Sequence, residues 1–142
     1  MHNMQASQVV AFASVATFVV LSTTAGRAAP LTLNELQGAW ISGSAACESV
    51  FTAAKTGPRF KKPVDVFAAA FIVSGKKLST PGASCRIGSI QSDGELTRAK
   101  LMCTNQIASQ GVEAIFSLDA DGKLRRHINE TDQNGSIYNR CK

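Results

Sequence analysis

Beyond residue 30 the chain breaks into short apolar runs separated by Gly, Pro, Asn and Asp, and no long helical period runs through it. The clearest segment is Val112–Leu118, where Val112, Ala114, Phe116 and Leu118 alternate with Glu113, Ile115 and Ser117, the period of a strand with one buried face. Asp119-Ala120-Asp121-Gly122 turns it into Leu124–Ile128, in which His127 points away from the face of Leu124, Arg126 and Ile128. Asn134-Gly135 is the strongest hairpin signal present, and a two-residue turn there pairs Ile128 with Cys141 and Thr131 with Tyr138. Cys85–Ile90 and Leu96–Cys103 flank Ser92-Asp93-Gly94-Glu95, another hairpin signal.

Upstream, Thr32–Gly38 reads as a short helical turn, with Thr32 or Asn34 as cap and Gly38 as terminator. Ala39–Ser42 begins the first strand with Trp40 as its largest core candidate, and Ala46–Ala53 continues extended, with Cys47 and Phe51 on one face. Lys55–Pro63 reads as a loop, from its Gly, two Pro and four basic residues. Val64–Val73 carries three consecutive alanines that favour helix, but its Val, Phe and Ile content and the flanking Pro63 and Ser74-Gly75 favour a buried strand at a sheet centre. The expected core is Trp40, Phe51, Phe67, Phe71 and Phe116. Successive hairpins of this kind predict an all-β fold, a small antiparallel barrel or sandwich built as a meander behind a short N-terminal helical turn.

Length changes the picture little: 142 residues, 44% of them hydrophobic, suit one domain. The N-terminus changes it more. Val9–Leu21 is uncharged and mostly apolar, too short to cross a bilayer, and is followed by small residues with Gly26 and Ala28 at the −3 and −1 positions of a signal-peptidase site. The expectation is a signal peptide over 1–28, cut near Ala28, and a single β domain over 29–142 with no transmembrane segment, periplasmic or secreted. Removing 1–28 takes one Arg from fifteen Lys/Arg and leaves ten acids, a formal charge of +4.

Cys47, Cys85, Cys103 and Cys141 then form an even set in an exported chain, which reads as two disulfides. Spacings of 38, 18 and 38 lack the close pairs of a zinc site, so no metal is expected. Of three possible connectivities, the hairpin favours Cys85–Cys103. That register sets Ile87 opposite Leu101 and Ser89 opposite Ala99 on one face, with Arg86 opposite Met102 and Gly88 opposite Lys100 on the other. A strict Asp-Gly turn would bring Cys85 to Met102, and one bulged residue or a three-residue loop restores the pairing. Cys47–Cys141 would then join the first strand to the last.

Candidate chemistry is sparse. His127 is the sole histidine of the exported part and reads as a surface side chain, with no nucleophile or orienting acid that sequence can place beside it. Counting from Asp119, a calcium loop would end on Glu130, but Lys123 and Leu124 occupy positions that need Asn or Asp and Gly, so a polar turn is expected. Asn129-Glu130-Thr131 is a formal glycosylation sequon. No catalytic residue, cofactor or enzymatic activity is predicted. The most suggestive cluster is Lys55, Arg59, Phe60, Lys61 and Lys62, with no acid among them, a candidate contact for a protein or an anionic envelope component, set against the commoner role of such a run as a solvated loop. No nucleic-acid recognition motif is present.

Leu36-Gln37-Gly38-Ala39-Trp40 matches L-x-G-x-W ahead of a first strand. In this the chain resembles lipocalin-type barrels and the small periplasmic barrels that inhibit secreted metalloproteases. The resemblance implies an eight-stranded antiparallel barrel closed at one end by the helical turn that bears Gly and Trp. On the inhibitor analogy Ala29–Leu33 would probe a protease cleft, and otherwise it would be a frayed terminus. Two functions are therefore expected: an inhibitor-like protein-binding module, or a carrier of a small apolar ligand. An apolar cavity of about 300 Å³ or more would favour the carrier.

Overall fold

The computed structural model describes residues 30–142. The leader over 1–28, its cleavage near Ala28, and Ala29 lie outside the described residues. The elements are α1 (Leu33–Leu36), β1 (Gly38–Ser42), α2 (Cys47–Val50), β2 (Phe51–Ala54), β3 (Gly57–Phe60), β4 (Ala70–Ser74), β5 (Lys77–Ser79), β6 (Ser84–Asp93), β7 (Leu96–Thr104), β8 (Ser109–Leu118), β9 (Leu124–His127) and β10 (Ser136–Cys141). Strands β4 to β10 form an antiparallel meander, and β1 closes the ring between β10 and β4. The result is a closed eight-stranded barrel, a topology that leaves no edge strand for unintended pairing.

The helical turn closes one end. Thr32 caps α1, and the Glu35 carboxylate returns to accept from the Thr32 backbone N–H at 2.7 Å, a complete capping box. Trp40 is fully buried and donates its indole N–H to the carbonyl of Leu36 at 2.8 Å, which satisfies an otherwise orphaned helix-end acceptor. Gly38 has φ +111°, a conformation that side chains resist and that lets the turn enter β1 directly. Leu31 and Leu36 fill the space over Trp40, so Leu31 is neither frayed nor free, and Leu33 packs against the same core.

Inward positions of the eight strands supply the main core, with Trp40, Phe71, Leu101, Phe116, Leu124 and Tyr138 at its centre. A second core lies outside the barrel wall. There α2 and the β2–β3 hairpin cover the outward side chains Ala39, Ile41, Ala70 and Ile72 with Phe51, Phe60 and Val50. Both faces of β1 and β4 are thus buried, which is why neither alternates.

Both disulfides are present, Cys85–Cys103 directly across β6 and β7 and Cys47–Cys141 from α2 to β10. Cys47 therefore staples the flap of the second core rather than the first strand. The β6–β7 turn is Gly94-Glu95, and the extra residue is Gly88, beyond which Ser89 faces Lys100 and Ile90 faces Ala99. The bulge moves Ile90, not Ser89, onto the core side.

Four segments differ from expectation. Ala46–Ala53 is not continuous strand: the backbone turns through α2 and only then extends from Phe51. Within Lys55–Pro63, Gly57–Phe60 pairs with Phe51–Ala54 as β3, a two-stranded ribbon that tolerates Pro58 because its other edge is unpaired. In Val64–Val73 only the end is strand. Asp65 accepts the backbone N–H of Phe67 and holds a turn there, leaving Phe67 91% exposed rather than in the core. Finally, Asn134-Gly135 does not form a two-residue hairpin. Asp132 collects the N–H groups of Ile128, Asn134 and Gly135, so 128–135 is a folded loop, Ser136 pairs with Arg126, and Cys141 pairs with Ala39. Ile128 leaves the strand and is exposed.

Candidate functional site

The two ends of the barrel differ. Gln37 exchanges hydrogen bonds with the backbone of Gly75 (3.1 and 2.8 Å), which fixes the β4–β5 turn to the closed end. The opposite end is framed by residues 66–70 and the Thr80–Ala83 turn, and here the barrel interior opens as a cavity of about 550 Å³. Its wall is Phe71, Leu78, Leu101, Val112, Ala114 and Phe116, all inward positions of β4, β5, β7 and β8. The small side chain of Ala114 between the larger Val112 and Phe116 leaves this space unfilled.

Four polar residues line the same cavity: Thr80, Gln110, Arg126 and Tyr138. Arg126 is the unexpected one. It pairs with Phe116, which pairs in turn with Thr97, and both partners are buried inside the barrel, so the register sets Arg126 on the interior face, at the open mouth where its side chain stays exposed. Arg98 meets Glu130, Arg125 chelates Asp119 at 2.9 Å, Arg140 caps α1 carbonyls and lies over Trp40, and Arg59 reaches Thr56. Among the described residues Arg86 and Arg126 have no such partner, and of the two only Arg126 lines the cavity. The signal was in the sequence: alternation set Arg126 on the Leu124 face, which at the open end of the barrel reaches solvent.

His127 does face outward, but it is only 7% exposed because the 128–135 loop covers it. Its Nδ1 donates to the Asp132 carbonyl at 2.6 Å, and its Nε2 lies 2.8 Å from the Ser117 hydroxyl. A hydroxyl beside an imidazole is the geometry of an activated nucleophile. Here, however, neither group lines the barrel cavity, and the Asp132 carboxylate serves backbone N–H groups rather than the ring. Those N–H groups, Gly135 first and then Ile128, hold the Asp132 carboxyl below its ordinary value. The cluster pins the loop.

The basic residues singled out by composition sit together on the flap. Lys55 is in the β2–β3 turn, Arg59 and Phe60 are on β3, and Lys61 and Lys62 follow it. Phe60 is only half exposed and packs on Phe51 at 5.4 Å, whereas the Lys61 ammonium donates to the Glu48 carbonyl at 3.3 Å. A hollow of about 460 Å³ separates this hairpin from the C-terminal strand. Asp119, the first position of the calcium-like turn, is engaged by Arg125, and no group of three acidic, Cys or His ligands occurs among the described residues. No helix among the described residues is long and apolar enough to cross a membrane. No family model, curated protein or solved structure matches the chain.

Proposed function

We propose that this is an exported, disulfide-stapled binding protein, periplasmic or secreted, that carries a small apolar ligand in the open end of its barrel and performs no catalysis. The observation that supports it is the cavity of about 550 Å³ walled by Phe71, Leu78, Leu101, Val112 and Phe116. That volume lies within the range of small-molecule sites, about 300–1,000 Å³, and its apolar lining gains roughly 25 cal/mol for each Å² an apolar guest covers. The staples suit the compartment, since disulfides persist where thiols are not kept reduced. The inhibitor reading has less support, because Leu31, at the heart of the stretch it would use, is 1% exposed in the barrel core.

The test is a fluorescence titration of the oxidised protein with the neutral apolar probe N-phenyl-1-naphthylamine. Saturable binding at one probe per chain, weakened at least tenfold by Val112→Phe with the far-ultraviolet dichroism unchanged, is the expected result. Absence of saturation, or equal binding by the filled variant, overturns the reading.

A further inference from the structure

The wall of the cavity is more specific than an apolar guest requires. Arg126 lines its mouth from β9, exposed and with no carboxylate to meet it, and Tyr138 lines it from β10, two residues beyond the partner of Arg126. Such diagonal neighbours on one face stand roughly 7–8 Å apart at Cα, within reach of a common group for long side chains. Tyr138 is 7% exposed. Arg126 and Tyr138 thus both line the hollow, while Phe71, Leu78, Leu101 and Val112 form the apolar remainder.

Arg126 is exposed at the mouth and, among the described residues, is the one charged residue lining the cavity, so the rim sets an uncompensated positive charge beside an apolar hollow and complements an anionic head group. From this geometry we infer that the ligand is an anionic amphiphile with a single unbranched acyl chain. Its head group is held by the Arg126 guanidinium fork and the Tyr138 hydroxyl, and its chain lies along Phe71, Leu101 and Val112. Charge-assisted hydrogen bonds are stronger than neutral ones, and Arg matches a carboxylate or phosphate with two parallel donors. This inference rests on the carrier reading, and the experiment separates the two.

Laurate and its neutral counterpart dodecanol are titrated against wild type, Arg126→Met and Arg126→Lys by displacement of N-phenyl-1-naphthylamine. Wild type is expected to bind laurate at least tenfold more tightly than dodecanol, Arg126→Met to lose that preference while still binding dodecanol, and Arg126→Lys to restore part of it. Lysophosphatidylglycerol in a parallel arm identifies the source of the head group: tighter binding than laurate points to a phosphodiester, weaker binding to a free carboxylate, and either supports the inference. Equal laurate and dodecanol affinities in wild type overturn it while leaving the carrier reading intact. Failure of the neutral probe to bind wild type overturns both.

Discussion

Removing the two disulfides separately tests how the fold is held, because they close loops of very different length. Cys85 and Cys103 are 18 residues apart and Cys47 and Cys141 are 94 apart, the first pair nested inside the second. By loop-closure entropy the inner bridge contributes about 3.2 kcal/mol at 25 °C. With the inner loop already closed, the outer contour shortens, and the outer bridge contributes about 4.5 kcal/mol. The outer bridge also clamps α2 and the β2–β3 hairpin over Ala39, Ile41, Ala70 and Ile72, so its loss lets water reach a second core. The variants are Cys47→Ala/Cys141→Ala and Cys85→Val/Cys103→Ala, with Val holding the space of the buried Cys85. At roughly 4 °C per kcal/mol for a domain of this size, the midpoint should fall by about 18 °C and about 13 °C respectively. Thermal unfolding followed by circular dichroism, with urea titration for the free energies, measures both. An outer bridge whose removal costs less than that of the inner one would refute the loop argument and the flap's role together.

Other perturbations have equally definite outcomes. Trp40→Phe leaves the buried Leu36 carbonyl without its donor and should cost about 2–4 kcal/mol in urea unfolding, whereas a cost under about 0.5 would mean the closed end is not pinned by this bond. The Asp132 carboxyl lies below its ordinary value of 3.8, so its contribution to stability is present above that pH and is lost as pH falls through the lowered value. Asp132→Asn should therefore be less stable than wild type near neutrality and converge on it in acid, and parallel melting curves from pH 7 to pH 2 would contradict this. Gly135→Ala would bring a Cβ within 3.1 Å of the Arg126 carbonyl and 3.2 Å of the His127 ring at φ +58°, whereas Gly122→Ala at φ +78° meets nothing within 4 Å. The first should cost about 1–3 kcal/mol more than the second, and equal unfolding midpoints would show that the loop does not press on His127.

How much could be read beforehand follows from the range of the forces involved. The Thr32 cap, Trp40 in the first strand and the Cys85–Cys103 register with its one extra residue are all local patterns, and each is present in the fold, whereas β8 places Val112, Ala114 and Phe116 inward as read but buries the outward Ile115 as well. The hairpin of β2 and β3 was hidden because Pro58 and four nearby basic residues carry a loop's composition, and what makes it a strand is the apolar outer wall that Phe51 and Phe60 cover. Phe67 misled because apolar character alone does not reveal that Asp65 will capture the Phe67 N–H. Asn134-Gly135 misled in the same way, since Asp132 offers those amides a competing partner three residues earlier. For the site, alternation did place Arg126 on the Leu124 face. That β4, β5, β7 and β8 leave a hollow beside it depends on ring closure, a property of all eight strands at once.

On the carrier reading, binding takes place in the barrel interior, entered at the end opposite α1. Methyl chemical-shift mapping during titration with N-phenyl-1-naphthylamine tests it most directly, because inward and outward methyls report the two sides of one wall. The predicted result is that Leu78, Leu101, Val112 and Ala114 shift in a saturable way while Ile41 and Ile72, outside β1 and β4, stay still. Shifts confined to Ala53, Ala54 and the outward methyls under the β2–β3 hairpin would contradict it and place binding on the basic flap instead.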